Sequence, residues 1–342
     1  MKCRPQLFCA VLSGCLALAA LSASVRTLDA AGGASLLDAL WSPKSVTGAP
    51  AEKKSVARAS PDDSPPARLT PRLSASPPPL ATKNAVRRVE LPPSSLAVAL
   101  TFDLCELATK TAGYDAELVD FLRAASVRAT FFVGGKWMRS HPERAMQLMA
   151  DPCFEIGNHA WTHGNFGVLG EAAAREQLLW TQAQYELLRE EIERRAHRSG
   201  KIVDVKAAMA AIAPLPRLFR FPYGRCRPEA LELLARHGLT GIEWDVPAED
   251  DALGATQAAA KALSKIRPGS IVLLHANGVP KNTAALVKIL VPALRAKGYA
   301  LLTVGELLGR GPVEAPEECY DETPGDTLIF DQTYGDGTRR RK

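Results

Sequence analysis

Between about residue 95 and residue 310, short apolar runs alternate with amphipathic stretches. The first run, Leu96–Phe102, is apolar and partly β-branched, which predicts a buried strand, whereas Tyr114–Ala125 has the apolar spacing of a helix. Strands that alternate with helices predict βαβ units and a parallel sheet, either doubly wound or closed as a (β/α) barrel. The later predicted strands are Ala129–Val133, Phe154–Gly157, Leu218–Phe221, Gly241–Trp244, Ser270–Leu274 and Ala300–Thr303, and the later helices are Pro142–Ala150, Gly170–Arg195, Pro228–His237, Thr256–Ile266 and Thr283–Lys297.

The amino terminus has a different pattern. Lys2 and Arg4 precede an uncharged apolar run, Leu7–Ala23, that ends among small residues. This pattern predicts a secretory signal peptide over residues 1–23, and therefore export to the periplasm or the cell exterior. An uncleaved membrane anchor is one alternative, although the run is at the lower length limit of a membrane span. A lipid anchor at Cys15 is the other, because Leu12-Ser13-Gly14-Cys15 resembles a bacterial lipobox.

The segments on either side of the patterned region have a polar composition. Residues 24–94 are rich in Pro, Ala and Ser, which predicts a disordered linker. Its basic residues suggest association with the cell envelope, and a solvated spacer is the simpler interpretation. Residues 311–342 form a polar tail that either wraps the domain or is disordered. Residues 95–310 remain as the folded domain. A net charge of +5 is too small to indicate nucleic-acid binding, and nothing in the sequence defines the oligomeric state.

Reactive side chains follow several of the predicted strands. In parallel α/β folds, side chains at the carboxyl ends of the strands converge on one site. Two histidines separated by three residues can bind one cation, and a hydrolytic site also needs a base, an oxyanion stabiliser and an acid. The candidates for these roles are Asp103, His159, His163, Arg220, Tyr223, Asp250 and His275.

The ordered motifs TFD, NHxxxH, FRFPYG, WD and LLH resemble those of the NodB-homology polysaccharide deacetylases, carbohydrate esterase family four. The resemblance covers about residues 95–308. It implies a distorted (β/α) barrel and a divalent cation, with zinc first and cobalt, nickel or manganese as alternatives. It also implies removal of N-acetyl groups from a peptidoglycan- or chitin-like polysaccharide, which is then the expected partner.

The resemblance implies a role for each candidate residue. Asp103 is the general base, and His275 is the general acid, whose pKa Asp250 adjusts. A structural ion pair for Arg220 and a helix N-cap for Asp250 are the alternative interpretations of those two residues. The remaining roles are pairing of the base with Arg220, oxyanion stabilisation by the backbone N–H of Tyr223, and metal binding by His159 and His163.

The family's third metal ligand is an aspartate directly after the base, and this chain has Leu104 there. We expect Glu106 to supply the missing carboxylate, with a Cys105 thiolate or water as the alternatives. Cys105 and Cys226 should lie on the same rim, and in an exported protein a disulfide between them is favoured over a thiolate ligand.

Other positions also depart from the family pattern. Ala160 replaces a hydroxyl residue in the histidine loop, and Asp251 replaces a tryptophan that commonly lines the acetyl pocket. Trp137 and Trp161 are either packing residues or sugar platforms, and packing is favoured. Two other functions remain open: a metal-free glycan-binding pseudoenzyme and a related C–N bond hydrolase that acts on a non-glycan amide.

Overall fold

The computed structural model describes residues 35–74 and 83–334, so the predicted signal peptide lies outside the described residues. The strands are β1 (Val56–Ala57), β2 (Arg88–Val89), β3 (Ala97–Leu104), β4 (Lys110–Thr111), β5 (Ala129–Val133), β6 (Phe154–Asn158), β7 (Leu218–Phe219), β8 (Thr240–Gly241), β9 (Val246–Pro247), β10 (Ile271–His275), β11 (Ala300–Leu302) and β12 (Val313–Glu314). The helices are α1 (Leu36–Leu40), α2 (Pro43–Val46), α3 (Ala116–Ala124), α4 (Gly135–Ser140), α5 (Pro142–Ala150), α6 (Glu171–Ser199), α7 (Val205–Met209), α8 (Pro228–Arg236), α9 (Ala255–Lys265), α10 (Thr283–Ala296), α11 (Val304–Leu308) and α12 (Ile329–Thr333).

An eight-stranded sheet forms the centre of the domain, with strand order β8-β7-β6-β5-β3-β10-β9 and β11 beside the first half of β3. Its strand pairs are parallel. Every residue of β3 is buried, as expected for a strand covered on both faces. Among the described residues β8 and β9 do not pair with each other, so the sheet is a partial barrel. The predicted α/β fold of the distorted-barrel type is confirmed.

The tryptophans in the loops that follow β5 and β6 are packing residues. Trp137 lies in α4, is fully buried and donates its indole N–H to the carbonyl of Gly113. Trp161 is also fully buried, and its indole N–H bonds the carbonyl of Ser64. Neither ring is exposed, so the sugar-platform alternative is wrong for both.

The predicted linker is ordered over much of its length. Leu36, Leu37 and Trp41 are buried in the main core, where their burial offsets the entropy of ordering the chain. Further along, Arg68 forms ion pairs with Glu186 and Glu190 of α6. The prediction of a disordered linker is therefore wrong for residues 35–74 and 83–94, while residues 24–34 and 75–82 lie outside the described residues.

The carboxyl-terminal segment wraps the domain as far as residue 334. Strand β12 pairs with β2 in antiparallel register, and Cys319 forms a disulfide with Cys226. The tail was predicted either to wrap the domain or to be disordered, and residues 311–334 wrap it. Residues 335–342 lie outside the described residues. Within the described ranges we find no helix that is both long enough and apolar enough to cross a membrane.

Candidate active site

Asp103 near the end of β3 and Cys105 directly after it are the first two site residues. Side chains alternate between the faces of a strand, so Asp103 and Cys105 point one way and Leu104 the other. Leu104 is fully buried in the apolar core, which explains why it takes no part in the site. Asp103 lies beside His275 of β10 in the parallel register, so two strand ends meet here as predicted.

A buried ion pair fixes the carboxylate of Asp103. The guanidinium of Arg220 donates to its Oδ1 at 2.9 Å, and the arginine side chain is fully buried. Arg220 is held in turn by the carbonyl groups of Ile242 and Glu243, at 3.3 and 3.2 Å. The arginine therefore meets the base carboxylate, and its remaining donors are directed to backbone oxygens.

The two histidines are oriented by their surroundings. Nδ1 of His159 lies 2.9 Å from the carbonyl oxygen of Arg220, which favours the tautomer that carries its proton on Nδ1 and leaves Nε2 as a lone-pair donor. Burial lowers the pKa of His159, and burial followed by the neighbouring imidazoles holds the pKa of His163 well below its ordinary value. Both rings are therefore neutral at pH 7, the form that binds metals.

The loop that carries these histidines is strained and braced. Ala160 and His163 have φ angles of 63° and 58°, the left-handed region that costs non-glycine residues about 1–3 kcal/mol and recurs at functional sites. Gln177 of α6 accepts from the backbone N–H of Thr162 and donates to its hydroxyl. Asn158 accepts from the backbone N–H of Ala160 at 2.9 Å. Gln177, which sequence reasoning missed, and Asn158, the first residue of the NHxxxH motif, thus hold the loop in the way expected of a hydroxyl at position 160.

Three potential ligand atoms meet at this loop. Among the described residues, one atom each from Cys105, His159 and His163 lies within 4.8 Å of the others. Tetrahedral zinc with bonds of about 2.1–2.3 Å spaces its ligand atoms roughly 3.4–3.8 Å apart, so a small contraction would complete such a site. Nδ1 of His163 is buried and, within the described part of the chain, has no hydrogen-bond partner; Nε2 of His159 is also buried and makes no hydrogen bond, although Oδ2 of Asp103 lies 3.3 Å away. Buried polar atoms are rarely left unpaired, so the residues fit a bound cation.

Glu106 does not reach these histidines, so the preferred sequence prediction for the third ligand is wrong. Its carboxylate is fully buried and pairs with Nζ of Lys136 at 2.7 Å, and it accepts from Ser140 and from the backbone N–H of Ala112. The hydrogen-bonding capacity of this carboxylate is therefore used by Lys136 and Ser140 of α4 and by the backbone. Of the alternatives, Cys105 is the one whose ligand atom lies with the histidines.

The predicted disulfide between Cys105 and Cys226 is also wrong. Cys226 is bonded to Cys319, and Cys105 is a free, buried thiol. Burial raises the pKa of this thiol, and the nearby carboxylate of Asp103 raises it further. The amide of Asn277, two residues after His275, donates to the carbonyl oxygen of Cys105 at 3.3 Å and steadies the loop.

His275 forms a tight pair with Asp250. Its Nδ1 lies 2.9 Å from Oδ1 of Asp250, whose other oxygen accepts from the backbone N–H of His275 and from the hydroxyl of Thr283. Burial by itself would lower the pKa of His275, but the carboxylate of Asp250 outweighs it and raises the pKa to about 9. The imidazolium form is therefore present at neutral pH and can donate a proton.

Tyr223 lies in the turn Pro222–Gly224 with a φ angle of 64°, another left-handed residue. Its ring packs edge-on against His163 with centroids 4.4 Å apart. A cavity of about 300 Å³ opens beside it and is lined by Asp103, His163 and His275. Asp251 lines the same cavity, so the replaced tryptophan position does face the site.

The fold and the site define a parallel α/β domain with a buried candidate metal centre at its strand ends. Residues 91–242 match the polysaccharide deacetylase family. The chain thus contains a polysaccharide deacetylase domain of the NodB-homology type.

Several known proteins are similar to this chain. A chitooligosaccharide deacetylase of Bradyrhizobium sp. (strain ANU 289) is 29% identical over 205 residues, covering 56% of this chain and 83% of the relative. The peptidoglycan-N-acetylglucosamine deacetylase PgdA of Listeria monocytogenes is 27% identical over 227 residues, covering 66% of this chain and 41% of that protein. The crystal structure of a wild-type CE4 family pseudoenzyme from Bacillus anthracis shares the fold, with a TM-score of 0.53, 24% identity and coverage of 68% and 72% of the two chains.

Proposed function

We propose that the protein is a metal-dependent N-deacetylase of an N-acetylated polysaccharide. One observation carries the proposal: the Asp103–Arg220 pair and the His275–Asp250 pair face the same cavity beside the histidine loop. A protein that only binds glycans has no need of a paired base and a paired acid on two sides of one cavity. The relatives named as chitooligosaccharide and peptidoglycan deacetylases support this class of substrate.

The chain's own residues supply the proton transfers. Asp103, which is paired with Arg220, accepts the proton of the attacking water. The backbone N–H of Tyr223 donates to the oxyanion of the tetrahedral intermediate, a contribution of about 3 kcal/mol for one such donor. The imidazolium of His275 then protonates the departing amine, and Asp250 stabilises its charge.

A divalent cation is part of the proposal, with zinc as the first choice and cobalt, nickel or manganese as alternatives. His159, His163 and Cys105 would hold it, because thiolate and imidazole are ligands that zinc accepts. When bound, the cation would polarise the acetyl carbonyl and acidify a water molecule.

Acetate release tests the proposal. The purified protein is incubated with N-acetylglucosamine oligomers, with peptidoglycan fragments and with simple non-glycan amides, and acetate is quantified. Acetate from the glycans is expected, and Asp103→Asn should reduce kcat by about 10²–10⁴-fold, the usual worth of a general base. Asp62→Asn, a partly exposed acid paired with Arg139, is the matched control and should keep its activity. Binding of glycans without acetate release would indicate the pseudoenzyme, and release only from simple amides would indicate another C–N hydrolase.

We further propose that the protein is exported and acts in the periplasm or outside the cell. The proposal rests on the basic and apolar start of the chain and on the relative that is named as a peptidoglycan deacetylase. Amino-terminal sequencing of the mature protein tests it: a start near residue 24 supports a cleaved signal peptide. A lipid-modified Cys15, or an intact amino terminus found in the membrane fraction, would instead indicate a protein that is anchored to the cell envelope.

A further inference from the structure

The carboxyl-terminal segment from Cys319 to Tyr334, here called the strap, lies outside the family match and is fastened directly to the site. Its first residue is bonded to Cys226, which follows closely on the Tyr223 turn. Near its other end, Asp331 forms an ion pair with Arg225 at 2.7 Å. The strap is thus joined twice to the loop that carries one of the predicted catalytic groups.

The strap also contacts the site through aromatic rings. Tyr334 stacks on Tyr223 with ring centroids 4.6 Å apart, and Phe330 packs on the same ring at 5.1 Å. Further back, Asp321 accepts from the indole N–H of Trp244 at 2.9 Å. Trp244 and Tyr223 both line the cavity of about 300 Å³ that contains Asp103 and His275.

Two cavities meet at His163, Tyr223 and His275, and the strap forms part of the wall of each. Asp321 and Phe330 line the first cavity. The second, of about 340 Å³, is lined by Cys105 and, from the strap, by Tyr334. Volumes of this size suit small ligands, and the two together extend the site to both sides of the reacting groups.

The chemistry of these walls suits carbohydrate. Sugar rings present C–H faces that pack on aromatic rings and hydroxyls that donate to carboxylates. The strap offers both kinds of group: the rings of Phe330 and Tyr334, each half-buried, and the carboxylate of Asp321. Ile329 and Leu328, between the two site-facing parts of the strap, are 57% and 51% exposed and line neither cavity.

We propose that the strap is a substrate-binding element, in which Phe330 and Tyr334 bind the sugars on either side of the N-acetylated residue. The proposal rests on the deacetylase function above and deepens it. It makes this protein's choice of glycan depend on a segment that lies beyond residues 95–308, the part of the chain with the family's motifs, because the strap completes the walls of the cleft.

Binding and turnover of oligosaccharides test the proposal. The dissociation constant of a fully deacetylated glucosamine oligomer is measured by calorimetry, and KM and kcat are measured with N-acetylglucosamine oligomers. Phe330→Ala and Tyr334→Ala should each weaken binding and raise KM about fivefold, as expected for one lost aromatic contact, with a smaller change in kcat. Ile329→Ala and Leu328→Ala are the matched controls on the same segment and should behave as wild type.

Conservative variants separate a lost contact from a lost fold. Tyr334→Phe keeps the ring and should bind the oligomer as tightly as the wild type does. A variant in which the strap had unfolded would bind it more weakly. Unchanged binding and KM in both alanine variants would overturn the proposal, as would a fall in kcat alone, which would make the strap only a support for Tyr223. If the wild type released no acetate but the alanine variants still bound the oligomer more weakly, the deacetylase function would be refuted and the glycan-binding role of the strap would be supported.

Discussion

Replacement of Cys105 tests the most unusual part of the proposed site, a sulfur ligand. The thiol lies with His159 and His163, and within the described part of the chain no carboxylate belongs to that group. Cys105→Ala removes one of three ligands and leaves the two imidazoles. Loss of an outer-shell partner of a metal ligand already costs about 10–100-fold in affinity, so loss of a ligand should cost more than about 100-fold, or above ~2.7 kcal/mol.

Cobalt substitution gives a readout that is independent of activity. The metal-free protein is titrated with Co²⁺, and the thiolate-to-cobalt absorption in the near ultraviolet is recorded together with the d–d bands of a four-coordinate site. The wild type should show both, and Cys105→Ala should lose the thiolate band. Cys105→Asp should restore affinity with an oxygen ligand and still lack that band.

Glu106→Gln is the control for this experiment. Glu106 is paired with the fully buried Lys136, so the neutral amide leaves a buried charge without its counter-ion and should cost about 3–5 kcal/mol of unfolding free energy. In the folded protein, metal stoichiometry and the thiolate band should be unchanged. A wild-type cobalt complex without the thiolate band, or Cys105→Ala that binds cobalt as tightly as wild type, would refute Cys105 as a ligand.

Three further outcomes are expected. In the metal-free protein His275 should titrate near pH 9 by NMR, and Asp250→Asn should lower that pKa. Because the pKa in the folded state lies above the ordinary value of about 6.5, the His275–Asp250 pair contributes its full stability below pH ~6.5 and loses it as the pH rises through about 9. Replacing both Cys226 and Cys319 with serine should lower the unfolding free energy by about 2–5 kcal/mol, because the bond closes a loop with a sequence separation of 93, and a denaturation midpoint equal to that of the wild type would contradict this. Asp251 and Asp321 line the first cavity, so neutral N-acetylglucosamine oligomers should be turned over several-fold faster than oligomers that carry carboxylates, with a difference that shrinks as salt is added; equal kcat/KM values at low salt would argue against this electrostatic selection.

The sequence predicted the parts of the structure that depend on local pattern. The periodicity predicted β3, β5, β6, β7, β10 and β11 correctly, whereas the predicted strand Gly241–Trp244 is replaced by the short strands β8 and β9 on either side of it. Parallel sheets bring strand ends together whatever the loops do. Their positions in the chain alone were therefore enough to predict that four residues lie close together: Asp103, His159, Arg220 and His275. The amides of Gln177, which holds the histidine loop, and of Asn277, which holds Cys105, had a weaker signal in the sequence, since a single amide after a strand or inside a helix is common.

Predictions that depended on the path of loops were less successful. Glu106 was preferred as a ligand because it is an acid close to Asp103, but side-chain alternation already places Cys105 on the face of Asp103. The chain then turns Glu106 towards Lys136, a partner thirty residues away whose burial no local pattern indicates. The Cys226–Cys319 bond depends on the route of the tail, and residues 35–74 join the core through a few apolar side chains in a segment that is polar on average.

The thiol at position 105 is consistent with the charge that the family's site requires. An aspartate and two neutral histidines contribute one negative charge to a divalent cation, and so do a thiolate and two neutral histidines. The electrostatic field on the acetyl carbonyl therefore keeps its sign, while the softer sulfur favours zinc over magnesium or manganese. Leu104 does not by itself argue for a pseudoenzyme, because Cys105 offers a ligand atom one residue further on and the Asp103–Arg220 and His275–Asp250 pairs are intact. We therefore expect the side chain at position 105, rather than the one at position 104, to decide whether this chain holds a metal.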